Sequence, residues 1–454
     1  MLLAINWGEF GIKAGQLLLS LSILIILHEF GHFITARWFK CRVEKFYLFF
    51  DPWFSIFKKK VGETEYGIGW LPLGGYVKIS GMIDESMDKD AMKLPPQPWE
   101  FRSKPAWQRL IIMIGGVTVN VIVAFIIYAM ILFVWGEDRV PMESVKSGVW
   151  VTDSLMYDAG LKDGDKIVSI GGEPVAYFDD VNKEILTAKE MVVDRNGVEK
   201  KIIFPTDLVG KLVESKRRRR LVEIRVPTMV EAFDPKDTSY ASKSGLKKGD
   251  RIIAVDSVAV SHFDEMIPLV AKKKNGTVTF TVNRDGDTLN VTSKVNKDGK
   301  TGLGLCEMET YAAAGVFTIQ HRSYSFFEAF PAGVKKTFSK LGDYIEQFKL
   351  ILRPETGAYK GIGGFKSMGS IFPSVWNWEN FWGITAFFSI VLAFMNLLPI
   401  PALDGGHVLF TLIEMITGRK PNEKFLEYAQ IVGMVLLLGL MLYANGNDLF
   451  GWNK

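Results

Sequence analysis

Apolar positions crowd both ends of this chain and thin out in its middle. Crossing a bilayer takes about 20 mostly apolar residues. Four stretches meet that length, at roughly residues 14–36, 107–135, 380–400 and 428–445. The first has no small-residue cleavage site and is too long for a removable leader, so all four are predicted to be membrane helices. A polar stretch of about residues 138–325 separates the second from the third. Beyond it, Phe327, Phe330, Val334, Phe338, Leu341, Ile345 and Phe348 recur at three- and four-residue spacing. That is the period of an amphipathic helix, which fits either the outer membrane surface or the face of a neighbouring domain.

The polar stretch contains a duplication. Ala159-Gly160-Leu161-Lys162-Asp163-Gly164-Asp165-Lys166-Ile167 returns as Ser244-Gly245-Leu246-Lys247-Lys248-Gly249-Asp250-Arg251-Ile252. Each copy reads as a helix end and a turn that feed a short strand. The spacing is too wide for a solenoid and predicts two similar small domains, drawn at 138–222 and 223–310. The pattern resembles PDZ domains of the bacterial type. Such domains bind extended peptides at a sheet edge, although a pair of inert spacers fits equally well.

Charge sets an orientation. Arg37, Lys40, Arg42, Lys45, Lys58, Lys59 and Lys60 follow the first apolar stretch, and Arg419, Lys420 and Lys424 lie between the last two. The tails hold only Lys13 and Lys454. Basic loops mark the cytoplasmic side, so both tails and the duplicated region are expected on the outer side. The net charge of +4 is modest, and no basic-aromatic interleaving points to nucleic acid. The run Arg217 to Arg220 reads as a solvated loop. Cys41 and Cys306 build neither a disulfide framework nor a Cys-rich metal site.

The chemistry lies inside the apolar stretches. The first reads Leu27-His28-Glu29-Phe30-Gly31-His32-Phe33, an H-E-x-x-H pattern. Residues four apart share a helix face, so both imidazoles reach one zinc ion. Glu29 stands beside them, where it can take a proton from a bound water. Charged groups at membrane depth cost about 2.5–3.5 kcal/mol on insertion scales and are seldom idle. Catalytic zinc takes three protein ligands and keeps one place open. The third apolar stretch ends Asn396-Leu397-Leu398-Pro399-Ile400-Pro401-Ala402-Leu403-Asp404-Gly405-Gly406-His407. The prolines cannot continue a regular helix, and a broken helix at membrane depth is tolerated where it is buried or lines a wet cavity. Asp404 is the preferred third ligand, with His407 as its competitor. A ligand such as Glu414 would instead indicate a zinc protease for soluble substrates.

Together these residues resemble the site-2 protease family of intramembrane zinc metalloproteases. HEFGH, the N-x-x-P-x-P-x-L-D-G run and the tandem repeat between the second and third helices resemble its regulator of sigma-E protease branch. The resemblance implies a multi-pass α-helical membrane protein with four transmembrane helices, two inserted PDZ-like α/β domains and a membrane-associated β-region. It implies zinc on His28, His32 and Asp404, with Glu29 as the catalytic acid–base. Asn396 matches the asparagine that contacts the substrate backbone. Leu71 to Ile79 falls in the β-region, where Gly74, Gly75 and Tyr76 are candidates to pair with unwound substrate. Gly116-Val117-Thr118-Val119-Asn120 stands where the family commonly shows G-P-x-x-N, and Val117 in place of proline puts a helix kink there in doubt.

The expected division is 1–36 for the first helix, 37–106 for the cytoplasmic loop and β-region, and 107–137 for the second helix. The repeats follow at 138–222 and 223–310, then the amphipathic helix and linker at 311–373. The third helix takes 374–410, and the fourth helix and tail take 411–454. The implied function is cleavage of single-pass membrane proteins, such as trimmed anti-sigma factors or remnant signal peptides, in a bacterial inner membrane. The active site is expected toward the cytoplasm, with the PDZ-like domains touching trimmed substrate ends on the periplasmic side. The competing reading is a non-enzymatic PDZ scaffold with structural zinc, which a filled fourth ligand position would favour.

Overall fold

The computed structural model describes residues 7–82, 95–215, 220–231, 241 and 243–451. Most of the Arg217 to Arg220 run lies outside the described residues. The chain forms two units: Met1–Gly136 with Ser323–Lys349 and Gly361–Lys454, and Glu137–Arg322 with Leu350–Lys360.

In the first unit, four helices among the described residues are long and apolar enough to cross a membrane. They run Trp7–Trp38, Ala106–Val134, Trp378–Leu397 and Glu423–Phe450. The first begins well before its predicted start, because polar residues such as Glu9 and Lys13 extend a helix past its apolar core. The second is unbroken through Val117. The third stops two residues short of Pro399, since a residue before proline is pushed out of the helical region.

Small and hydroxyl side chains let these helices approach closely. A Cβ at Gly31 would overlap the backbone of Gly115 and Gly116, so the first two helices touch main chain to main chain. Thr385 donates to Ser20 Oγ at 2.9 Å, and Ser389 donates to the Asn120 carbonyl at 2.7 Å, tying the third helix to both. The fourth helix leans on the rest through Gly433, where a Cβ would overlap the Pro401 carbonyl. Its far end is held by Asp448, which accepts from the backbone N–H of Gly364 and Ser367 at 2.8 Å each.

A four-stranded sheet follows the first helix: β1 (Val43–Leu48), β2 (Phe50–Val61), β3 (Thr64–Leu71) and β4 (Tyr76–Ile79), in the order β2-β3-β1-β4. Strands β1 and β3 are parallel and the other pairs antiparallel. Val43 and Ile79 pack with Ala36, Ile112 and Met113, which fixes β4 against the first two helices. The amphipathic helix Phe326–Ile351 packs on the second and third helices, Phe338 against Phe125 and Tyr344 against Phe387. Its Gly333 meets the Ala129 backbone, and Tyr344 and Phe348 stack edge-on against Phe394.

In the second unit the repeats share a local design. Lys166–Ile170 pairs with Glu190–Arg195, and Arg251–Val255 pairs with Thr277–Arg284. Leu161, Ile167, Phe178, Val181 and Ile185 are buried in the first copy; Leu246, Ile252, Phe263, Met266 and Val270 are buried in the second. The repeated Gly-Asp step has a physical reason. Asp165 is gripped by Arg195 through two bonds of 2.7 Å, and Asp250 by Arg284 at 2.6 and 2.7 Å. Each arginine also donates to the carbonyl of the preceding repeat glycine, Gly160 or Gly245. Bidentate Arg–carboxylate pairs are among the stronger polar contacts. Val222–Ile224 pairs with Val149–Val151 as an added antiparallel strand.

Candidate metal centre

The first long helix presents His28 and His32 on its face toward the second helix. Room for the rings comes from Gly116, where a Cβ would overlap both imidazoles. His32 Nδ1 lies 2.9 Å from the Ile112 carbonyl oxygen. That contact places the proton on Nδ1 and leaves a lone pair on Nε2, the usual arrangement behind a metal-bound histidine. His28 Nδ1 faces the Asn120 side chain at 3.3 Å. With Nε2 of His28 turned inward, its Nδ1–H needs an acceptor. Orienting the Asn120 amide with Oδ1 toward the ring supplies one. It also gives that oxygen, otherwise buried without a partner, its bond.

Asp404 arrives from the far end of the chain. After Leu397 the backbone leaves the helix, turns through Ala402 at φ +77°, and restarts as the helix Asp404–Thr417. Gly405 and Gly406 let that restart pack onto the loop, because a Cβ at Gly406 would lie 2.7 Å from the Ile400 carbonyl oxygen. The carboxylate therefore stands in the first turn of a helix, where the dipole favours negative charge.

Three donor atoms meet. Oδ2 of Asp404 is 3.2 Å from Nε2 of His28 and 3.2 Å from Nε2 of His32, and the two imidazole nitrogens are 3.3 Å apart. A tetrahedral zinc bound at about 2.0–2.1 Å spaces its donors about 3.3 Å apart. The triangle thus has the size of one face of a zinc tetrahedron, and the donor set suits that metal. Among the described residues, His28, His32 and Asp404 form the one group of this kind. The ligand pockets of His28 and His32 are nearly closed, with 11% and 9% of the side chains exposed.

The remaining sequence candidates take distinct places. Asn396 Nδ2 lies 3.2 Å from His28 Nε2, at the edge of the triangle. Glu29 lines the same cleft and accepts from the Val77 backbone N–H. Gly75 brings β4 onto the first helix: a Cβ there would come 2.6 Å from Ile25 and 3.2 Å from Glu29. Gly74 packs on Phe50. The Tyr76 ring stacks between Tyr47 and Phe50, and its hydroxyl donates to Asp51 at 2.8 Å. Tyr76 pairs with Tyr47 of β1 and also lines the cleft. His407 lines the cleft outside the donor group. Glu414 is ion-paired with Arg109 at 2.5 Å. The whole cleft encloses about 620 Å³.

In the sequence Gly116 and Asn120 stood out only as a family motif and Glu414 only as a rival ligand; their places against the imidazoles and against Arg109 were not foreseen. The signal for the first two was a glycine pair followed by asparagine in an otherwise apolar helix, since such residues in a membrane helix mark the face that meets a neighbour.

The profile described as Peptidase family M50 matches residues 16–440. A protein named "Putative zinc metalloprotease" from Treponema pallidum (strain Nichols) is 27% identical over 449 residues, 94% of this chain and 96% of its own length. One of the same name from Xylella fastidiosa (strain 9a5c) is 27% identical over 464 residues, 98% and 100% of the two chains. The regulator of sigma-E protease RseP of Escherichia coli (strain K12) is 28% identical over 454 residues, 95% and 97% of the two chains.

Proposed function

The chain belongs to peptidase family M50 and is a metalloprotease, and on that premise we propose how its cleft cuts membrane proteins. His28, His32 and Asp404 hold zinc, Glu29 moves the proton, and the substrate is a single-pass protein of a bacterial inner membrane. The observation that carries this reading is the donor triangle of 3.2–3.3 Å beside Glu29.

Zinc held by His28, His32 and Asp404 would supply Lewis acidity toward a scissile carbonyl and would make a water there more acidic. Glu29 takes the water proton and returns it to the leaving amine. Val77 N–H holds the carboxylate in place for both transfers. The substrate helix must open first, because each helical peptide group is committed to its own hydrogen bonds. The free edge at Gly74, Gly75 and Tyr76 supplies replacement partners as an added strand. Asn396 supplies an amide for a peptide group beside the metal.

The cleft faces the cytoplasmic side, and the repeats and both tails face the periplasm. The repeats act as PDZ-like domains that meet trimmed ends of anti-sigma factors or remnant signal peptides and hold untrimmed proteins back. The copies differ. In the first, Asn182 bonds the backbone of Leu221 and Val222, which clasps helix to strand. The corresponding position of the second is Ile267, an exposed apolar side chain. The second copy is thus the better peptide receiver.

Comparative membrane proteomics on cells carrying wild type or Glu29→Gln tests the reading. Trimmed membrane stubs should accumulate with the variant, which should keep its zinc. Identical fragment patterns in the two strains refute it.

A further inference from the structure

The wall of the cleft continues past the metal group. Met82, His407 and Gln430 also line a second, adjoining cavity of about 210 Å³. Much of its wall is apolar, built from Met82, Phe101, Pro401, Phe410 and Leu426. Arg109 and Glu414 line it too, bonded at 2.5 Å with only 12% and 11% of their side chains exposed. Arg109 also donates to the Lys104 carbonyl at 3.0 Å. Arg102 and Lys420 line it as well, Arg102 paired with Glu100 and Lys420 donating to the Arg102 carbonyl, and the surface between these groups is mainly apolar.

Its position says what enters. His407 follows Asp404 by three residues on one helix, a rise of about 4.5 Å. An extended chain advances about 3.3 Å per residue and sends alternate side chains to one face. A substrate whose scissile carbonyl lies at the donor triangle brings a side chain within one or two residues of the cut to the cavity mouth.

We propose that this cavity is a specificity subsite that takes one long apolar side chain, of the Leu, Met or Phe class, flanking the scissile bond. The proposal rests on the protease reading of the cleft. Methylene-sized differences in an apolar pocket change kcat/KM by about 10–200-fold, so a leucine there should beat an alanine by at least about tenfold. Glu414 occupies Arg109, which keeps that guanidinium from drawing an acidic side chain into the cavity.

The test uses full-length enzyme in zinc-loaded proteoliposomes and a single-pass substrate varied to Ala, Leu, Phe or Glu at each residue near the cut. One position should show the leucine preference. Leu426→Trp narrows the cavity and should bring the Leu-to-Ala ratio at that position close to one. Glu414→Gln leaves Arg109 without its acid and should raise the Glu-to-Leu ratio there about tenfold. Ratios unchanged in both variants, including an equal loss on every substrate, overturn the proposal. Because Leu426→Trp leaves the ion pair intact, the test survives a Glu414→Gln protein that fails to fold. Glu29→Gln is run beside them: if it still cuts, the assignment of the proton transfer to Glu29 in this cleft fails, whatever the ratios show.

Discussion

Asp404 Oδ2 and His32 Nε2 lie 3.2 Å apart although 372 positions of chain separate them. Two polar groups from distant apolar helices meet because glycines clear the way on both sides, Gly116 for the imidazoles and Gly406 for the carboxylate's helix. Glu414, on the same helix as Asp404, is turned away to Arg109. Asp404→Ala should therefore abolish stoichiometric zinc, and Glu414→Ala should retain it. The second variant should instead be destabilised by about 3–5 kcal/mol, the usual consequence of stranding one partner of a buried pair. Metal analysis and thermal unfolding of both purified variants check this. Zinc loss from Glu414→Ala alone would reverse the assignment.

Asn120 stands one step behind the candidate metal ligands. It is fully buried and makes its side-chain contact with His28 Nδ1. Removing a partner of this kind typically weakens metal binding about 10–100-fold. Asn120→Ala should show that loss in a chelator competition, whereas Thr118→Ala, an exposed neighbour on the same helix, should not. Equal zinc affinity for wild type and Asn120→Ala would mean the contact is only packing.

Much of this centre was legible in the chain. His28 and His32 share a helix face by spacing alone, and Pro399 and Pro401 announced the break that aims Asp404. What spacing does not encode is which groups stand behind the ligands, because Ile112 and Asn120 contribute through helix crossing rather than through pattern. The repeat at Asp165 and Asp250 was likewise plain. Its partners Arg195 and Arg284 were hidden by hairpins of different length, although each precedes a turn, Arg195-Asn196-Gly197 and Arg284-Asp285-Gly286. The amphipathic period at Phe327 to Phe348 was correct, but a period names a face and not its neighbour. Gly333 is what seats that helix on Ala129.

The second repeat should be sensitive to acid. Asp250 is held below the ordinary carboxylate range, first by its bonds from Arg284 and then by the Lys247 N–H, against a desolvation that pushes the other way. A carboxylate with a lowered folded pKa adds stability above its unfolded value near 3.9, and that stability fades as pH falls through the folded value. Hydrogen exchange at Thr277–Arg284 in the full-length protein should speed up as pH drops below about 4, after correction for the intrinsic rate. Arg284→Met should be looser already at neutral pH and respond less to acid. The same pH response in both proteins would show that another group controls it.

Ala402 is the strained link in the loop that delivers Asp404. Its φ of +77° lies in the left-handed region, which costs an L-residue about 1–2 kcal/mol and a β-branched one more. Glycine removes that cost but loses more freedom on folding, about 0.5–1 kcal/mol, so Ala402→Gly should be nearly neutral. Ala402→Val cannot hold the turn without shifting the two residues that lead to the carboxylate. Zinc retention against a chelator should fall at least about tenfold for the valine variant, the scale of a ligand that has lost its support, and stay level for the glycine variant. Equal retention in the two would show that the position of Asp404 is set by its own helix, Asp404–Thr417, and not by the turn that precedes it.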